Sequence, residues 1–258
     1  MNKLNTTIAT CAVATVLGGL SAGAQTLSLQ LTAANFNAVS GAWGDTSGNS
    51  DNAAFYGTLP TLVSGATPTG ASAVDLPGNG GFTIPTGISG ASGYTIFAVI
   101  APTTDTGGSR FALTGGNTGS LEYNLYQGHQ NWLNEYVGNG GPGTGTIPTT
   151  GSFSLVDLTV SGTGGAFDLN SSADGTTGAG TFGTALTRIG NNHGGGDGFK
   201  GDIAEIDIYS GVLSPSAIST EEAALTSEYI TPVPEPSSWV MLAGGLGTLV
   251  AVRRFRRS

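Results

Sequence analysis

The sequence predicts an all-β fold, a sandwich of two antiparallel sheets with one short C-terminal helix, on three observations. Apolar residues recur with the two-residue period of strands in several short segments. Gly-rich turns separate those segments, and 44 glycines are too many for a helical bundle. A helix-start signal is found near residue 214, after the last strand pattern.

Each element has its own justification. Residues 94–101 (YTIFAVIA) form an unbroken β-prone run, as expected of a strand covered on both faces. Leu121, Tyr123 and Leu125 alternate with Glu122, Asn124 and Tyr126, the pattern of a half-buried strand. Residues 153–160 and 166–169 read as a hairpin joined through Ser161-Gly162-Thr163-Gly164-Gly165. Residues 203–209 (IAEIDIY) close the strand series. Such patterns exclude disorder, which the Gly-, Thr- and Ser-rich composition would otherwise suggest.

Ser214 is placed to cap a helix with Pro215 at its first position. Ile218, Leu225 and Tyr229 share a face, and Glu221 and Glu222 are expected near the favourable N-terminal end. The Thr-Gly tracts at 138–150 and 171–184 are read as long loops, and residues 231–236 as a stiff Pro-rich linker.

Both termini carry sorting chemistry. Lys3, an apolar stretch from Ile8 to Leu20 and the Ala22-Gly23-Ala24 triplet make residues 1–24 a signal peptide cleaved after Ala24. Cys11 is the only cysteine, so the cleaved chain has no thiol or disulfide chemistry. At the other end, residues 237–252 carry no charge and are followed by Arg253, Arg254, Arg256 and Arg257. A helix over that stretch rises about 24 Å, short of a hydrocarbon core of about 30 Å, and arginine snorkelling lets a short span fit. The arginines fix its end on the cytoplasmic side. The organisation is therefore a signal peptide at 1–24 and a sandwich domain at 25–230. The linker and sorting motif follow at 231–236, then a short transmembrane segment with a basic tail at 237–258.

All seventeen acidic residues fall between Asp45 and Glu235, where only Arg110, Arg188 and Lys200 are basic. That imbalance excludes a nucleic-acid partner, which needs a basic surface, and it attracts divalent cations.

Val233-Pro234-Glu235-Pro236-Ser237, the apolar stretch and the terminal arginines together resemble the PEP-CTERM sorting signal. The resemblance implies export by the secretion machinery and transient inner-membrane association. It also implies processing near Pro234-Glu235-Pro236 by an exosortase-type enzyme. The implied destination is the cell surface or extracellular matrix, often alongside exopolysaccharide.

A second resemblance covers most of the exported region. Trp43-Gly44-Asp45-Thr46-Ser47-Gly48-Asn49, Arg188-Ile189-Gly190 and Gly201-Asp202-Ile203-Ala204-Glu205-Ile206 occur in that order. With Val212-Leu213-Ser214 leading into the helix, they resemble LamG-like, concanavalin A-like jelly-roll domains. The implied roles are carbohydrate binding, adhesion and structure, with glycosidases in the wider superfamily, and fold alone does not choose among them.

Three constellations carry candidate chemistry. Glu205-Ile206-Asp207-Ile208 resembles part of the Glu-x-Asp-x-x-Glu strand of laminarinase-type β-glucanases. No carboxylate completes the acid/base pair that retaining hydrolysis needs, so no catalytic residue is assigned. With Ala204, Ile206 and Ile208 as the core face, Glu205 and Asp207 are expected to face solvent. Asp45, Asn49 and Asp51, with Ser47, alternate like the start of a calcium loop, giving a structural Ca²⁺ as one reading. A plain turn is the other, because Ser50 and Tyr56 stand where an EF-hand has Gly and Glu. His129 and His193 have no partner at zinc-like spacing. Tyr126, His129, Trp132 and Tyr136, interleaved with amides, form the neighbourhood richest in groups that recognise sugars. Core packing of Trp132 and Tyr136 is the competing reading. The sequence thus points to an exported, non-catalytic jelly-roll domain that binds glycan or exopolysaccharide. A purely structural matrix component and a degenerate polysaccharide hydrolase are the alternatives.

Overall fold

A computed structural model of the chain describes residues 25–89, 93–103, 112–115, 122–126, 132–136, 148–177, 185–190 and 198–231. The signal peptide, His129 and the sorting tail lie outside these residues. Strands come in the order β1 (Thr26–Phe36), β2 (Ala42–Asp45), β3 (Ala53–Gly57), β4 (Thr61–Val63) and β5 (Ala73–Pro77). Then follow β6 (Gly80–Ile88), β7 (Tyr94–Pro102), β8 (Ala112–Gly115), β9 (Glu122–Tyr126) and β10 (Trp132–Tyr136). The last five are β11 (Ser154–Ser161), β12 (Gly164–Leu169), β13 (Ser172–Thr177), β14 (Leu186–Ile189) and β15 (Lys200–Ser210). Helix α1 (Pro215–Leu225) runs directly into a π-helical turn, Thr226–Ile230.

The strands hydrogen-bond in one antiparallel path, β10-β9-β8-β14-β6-β3-β2-β1-β15-β7-β11-β12-β13, with β5 added on β15 and β4 on β5. The corner is β1. Residues 26–32 pair with β15, whereas Leu31 and Phe36 pair with Asp45 and Trp43 of β2. Its register shifts between Leu31 and Phe36, so the strand leaves one layer and enters the other. The two layers close on one apolar core. Ile96, Ala98 and Ile100 of β7 and Val156, Leu158 and Val160 of β11 are clustered there with Phe82, Ile84, Leu186 and Ile189. Trp43 is fully buried in the core, its Nε1 donating to the Thr32 carbonyl at 2.7 Å. Phe36 and Phe82 pack on it with ring centroids 6.2 and 5.0 Å away.

The unbroken apolar run of β7 is buried at every position, as its sequence predicts, because both faces are covered. One face meets the core. The other carries Phe97 and Val99, which join Leu155, Ala204, Leu213, Leu225 and Tyr229 in a second cluster under α1. The Ser214 hydroxyl accepts the Ala217 N–H at 3.3 Å, and Pro215 opens the helix. Leu225 and Tyr229 are buried, and Ile218 packs beside them.

Two expectations need correction. Glu221 and Glu222 are not in the first turn, which holds no acidic residue. Glu222 lies further along and is buried against the sheet, 8 % exposed. Residues 172–177, read as part of a loop, form β13 instead, because register with β12 satisfies their backbone without needing a hydrophobic pattern.

Candidate functional site

The outer face beneath α1 has an unusual composition. A row of residues in register runs across five strands: Gln30 of β1, Asp207 of β15, Phe97 of β7, Asp157 of β11 and Asp168 of β12. Neighbouring strands are about 4.8 Å apart, so the three aspartates sit within one short band. Glu205 lies beside this row, and α1 adds Glu221 and Glu222 from above.

This arrangement overturns one expectation. Glu205 and Asp207 do not face solvent: they are 4 % and 0 % exposed. The alternation correctly separates them from the core-facing Ile206 and Ile208, but the helix covers their face too. A register shift between Ile203 and Glu205 also puts Ala204 on the helix side. Glu205 is satisfied there, accepting from Gln30 Nε2 at 2.9 Å and from the Tyr229 hydroxyl. Burial raises its pKa despite those two donors. The partner carboxylate raises the Tyr229 phenol in turn, after burial itself.

Asp157 and Asp207 are different. Among the described residues, both oxygens of Asp207 and the Oδ2 of Asp157 are buried without a donor at hydrogen-bond distance. Burial, with the Glu205 and Glu221 charges, pushes Asp207 up to about 9. Burial, the facing Glu222 carboxyl and the charge of Asp168 push Asp157 up to about 9 as well. Asp168 is raised by burial and by Glu222 and Asp174. No basic side chain among the described residues reaches the band. Arg188 lies over the Tyr56 ring at 5.3 Å in the other layer. Lys200 opens β15 opposite Pro77, seven residues before Asp207 and so roughly 20 Å along the strand.

Asp157, Asp168 and Glu222 come together most closely. One carboxylate oxygen from each lies within 4.8 Å of the others. Two of the three come from directly opposed positions of the β11–β12 hairpin, and the third from α1.

The calcium-loop candidates are placed in a tight turn. Asp45 accepts from the backbone N–H of Gln30, Ser47 and Asp51 at 3.0, 2.9 and 3.0 Å and from the Ser47 hydroxyl at 2.9 Å. Burial alone would raise its pKa, but these donors hold it below the ordinary value. Four donors occupy the lone-pair positions of the carboxylate. Asn49 donates to the Leu27 and Ser28 carbonyls at 3.0 and 3.1 Å. Asp51 accepts from the Thr86 hydroxyl, and burial with the Asp45 charge raises its pKa.

Tyr126, Trp132 and Tyr136 fall on the β9–β10 hairpin at the end of the strand path. Trp132 is directly opposite Tyr126, and Tyr136 follows Trp132 by two strand periods, so the three positions have one parity.

Comparison with known proteins fits this architecture. The model of the concanavalin A-like lectin/glucanases superfamily matches residues 76–219, more than half of the chain. The chain belongs to that superfamily. Residues 232–257, which include Pro234, Glu235, Pro236 and the four tail arginines, match the PEP-CTERM protein-sorting motif. No relative is found among curated proteins. Among solved structures, domain 4 of AbnA, a GH43 extracellular arabinanase from Geobacillus stearothermophilus solved in complex with arabinotriose, is similar. The TM-score is 0.57 at 18 % identity, over 76 % of this chain and 98 % of that one. Trypanosoma rangeli sialidase in complex with the inhibitor DANA gives 0.53 at 15 % identity, over 76 % of this chain. This sandwich therefore corresponds to about a third of the sialidase, 32 % of its chain. The binding domain of Paraclostridial Mosquitocidal Protein 1 gives 0.52 at 13 % identity, over 78 % of this chain and 53 % of that one. At such identities the likeness is one of fold.

The sorting motif and the superfamily were both legible from short motifs. The Asp157, Asp168 and Glu222 cluster was not. Its one local signal is Asp157 itself, an acid in the middle of the apolar run of β11.

Proposed function

We propose that the protein is exported and carried to the cell surface or extracellular matrix, where its sandwich binds glycan or exopolysaccharide without cleaving it. The observation that carries this reading is the union, in one chain, of a concanavalin A-like lectin/glucanases domain and a PEP-CTERM sorting motif. An exosortase-type enzyme processes the tail after the secretion machinery has acted on the signal peptide. The transmembrane segment then serves sorting, with only transient inner-membrane association.

Burial of Glu205 and Asp207 supports a binding role over a hydrolytic one. The laminarinase-like strand would need its carboxylates at a cleft that a sugar can enter. Here the helix covers them, and Glu205 is held by Tyr229 and Gln30. For the sugar contact we propose Tyr126, Trp132 and Tyr136, which share one parity on the edge hairpin, together with His129. Aromatic faces flanked by amides suit the apolar faces and hydroxyls of a sugar.

The test is binding of the exported protein to a polysaccharide array, with and without Ca²⁺. Retention on at least one polysaccharide, lost on Trp132→Ala, is the expected result. Retention on none would contradict the reading and favour a purely structural matrix component.

A further inference from the structure

We propose that Asp157, Asp168 and Glu222 form a divalent-cation site, taking Ca²⁺, that clamps the closing helix to the sheet. The site is separate from the Asp45 turn and independent of the glycan reading.

The geometry carries the assignment. Oxygens bound to one Ca²⁺ at roughly 2.3–2.6 Å lie at most about 5 Å apart. The three carboxylate oxygens meet this limit, all being within 4.8 Å of one another. Asp157 supplies the second observation. It is 2 % exposed, and among the described residues no donor group meets its Oδ2. A buried carboxylate of that kind either keeps its proton or is met by a cation, and the converging Asp168 and Glu222 oxygens fit the cation.

The setting sharpens this. Asp157 and Asp168 are directly opposed across a hairpin, where like charges repel. Glu222 then descends from α1 onto the same point. With no guanidinium or ammonium of the described residues in reach, the cluster carries up to three negative charges around one space. Three carboxylates and no nitrogen or sulfur donor make a hard-oxygen set, which selects Ca²⁺ or Mg²⁺ over Zn²⁺. Ligands drawn from two strands and a helix suit the flexible coordination of Ca²⁺ better than the near-ideal octahedron of Mg²⁺. Asp168 is only half-buried, which leaves the ion an approach from solvent and room for water ligands.

The consequence is mechanical. The cation would link the β11–β12 hairpin to α1 at one end of the carboxylate band, while the Tyr229–Glu205 contact fastens the other end. Calcium at the concentrations found outside cells would then set how firmly α1 and the turn after it are held to the sheet.

The test is calorimetric titration of the chelator-treated full chain with Ca²⁺ and with Mg²⁺, alongside thermal unfolding. The expected result is one Ca²⁺ per chain, with a higher melting temperature at about 1 mM, in the range of extracellular calcium modules. Glu222→Gln should weaken binding at least tenfold, and Asp157→Asn should abolish the melting shift. Asp207→Asn and Asp45→Asn should leave it in place. Glu222 lies on the helix, so Glu222→Gln keeps the test decisive if Asp157→Asn fails to fold. Absence of a Ca²⁺ response in the wild type would overturn the proposal. So would a response that survives Glu222→Gln unchanged, or one lost on Asp45→Asn alone.

Discussion

The Tyr229 hydroxyl donates to the carboxylate of Glu205, joining the last turn of the closing segment to the middle of β15. Tyr229→Phe removes that donor but keeps the ring in the cluster with Phe97, Val99 and Leu225. A hydrogen bond to a carboxylate contributes about 1.5–3 kcal/mol, and its loss should appear as a fall of that size in unfolding free energy. Hydrogen exchange should accelerate first across residues 215–230. Uniform acceleration over the whole domain would mean that the contact is not a local fastening.

Stability should fall as pH rises. Burial, with the Glu205 and Glu221 charges, pushes Asp207 up to about 9 in the folded chain, far above its unfolded value of about 3.9. Between those limits the native state keeps a proton that the unfolded chain has lost. The cost is absent below about pH 4 and grows by at most about 1.4 kcal/mol per pH unit, levelling off above about pH 9. In chelated protein, Asp207→Asn should match the wild type near pH 4 and exceed its melting temperature near pH 8. Equal melting temperatures at both pH values would show that Asp207 is not buried as a neutral acid.

Trp43 organises the aromatic part of the core with Phe36 and Phe82. Trp43→Ala should cost about 3–5 kcal/mol through the cavity and the loss of its bond to the Thr32 carbonyl. The urea midpoint should drop with little change in slope. A small loss would argue against one shared core between the layers.

Removal of the chain from Val233 onward should abolish sorting. The truncated protein is expected free in the medium, while the full-length chain is retained and processed. Unchanged localisation on fractionation would contradict a sorting role for Pro234-Glu235-Pro236 and the arginines that follow the apolar segment.

How much of this could be read from the chain differs by element, for physical reasons. An unbroken apolar run such as β7 reports burial on both faces directly, and the Ser214-Pro215 start of α1 is a local signal. Alternation in β15 separates Glu205 and Asp207 from Ile206 and Ile208. It does not reveal what lies over the second face, and that face is covered by a helix later in the chain. Asp157, Asp168 and Glu222 meet only because strand register and helix docking bring them together, and no local pattern encodes that. β13 was hidden because a strand reading Ser-Ala-Asp-Gly-Thr-Thr is held by its ladder with β12 and carries no apolar period.

The sandwich is proposed to hold polysaccharide without cutting it. Incubating the exported protein with the polysaccharides it retains, and measuring their chain length, decides between holding and cutting. Bound polysaccharide of unchanged length is expected for the wild type and for Glu205→Gln alike. Progressive shortening by the wild type, abolished in Glu205→Gln, would contradict it.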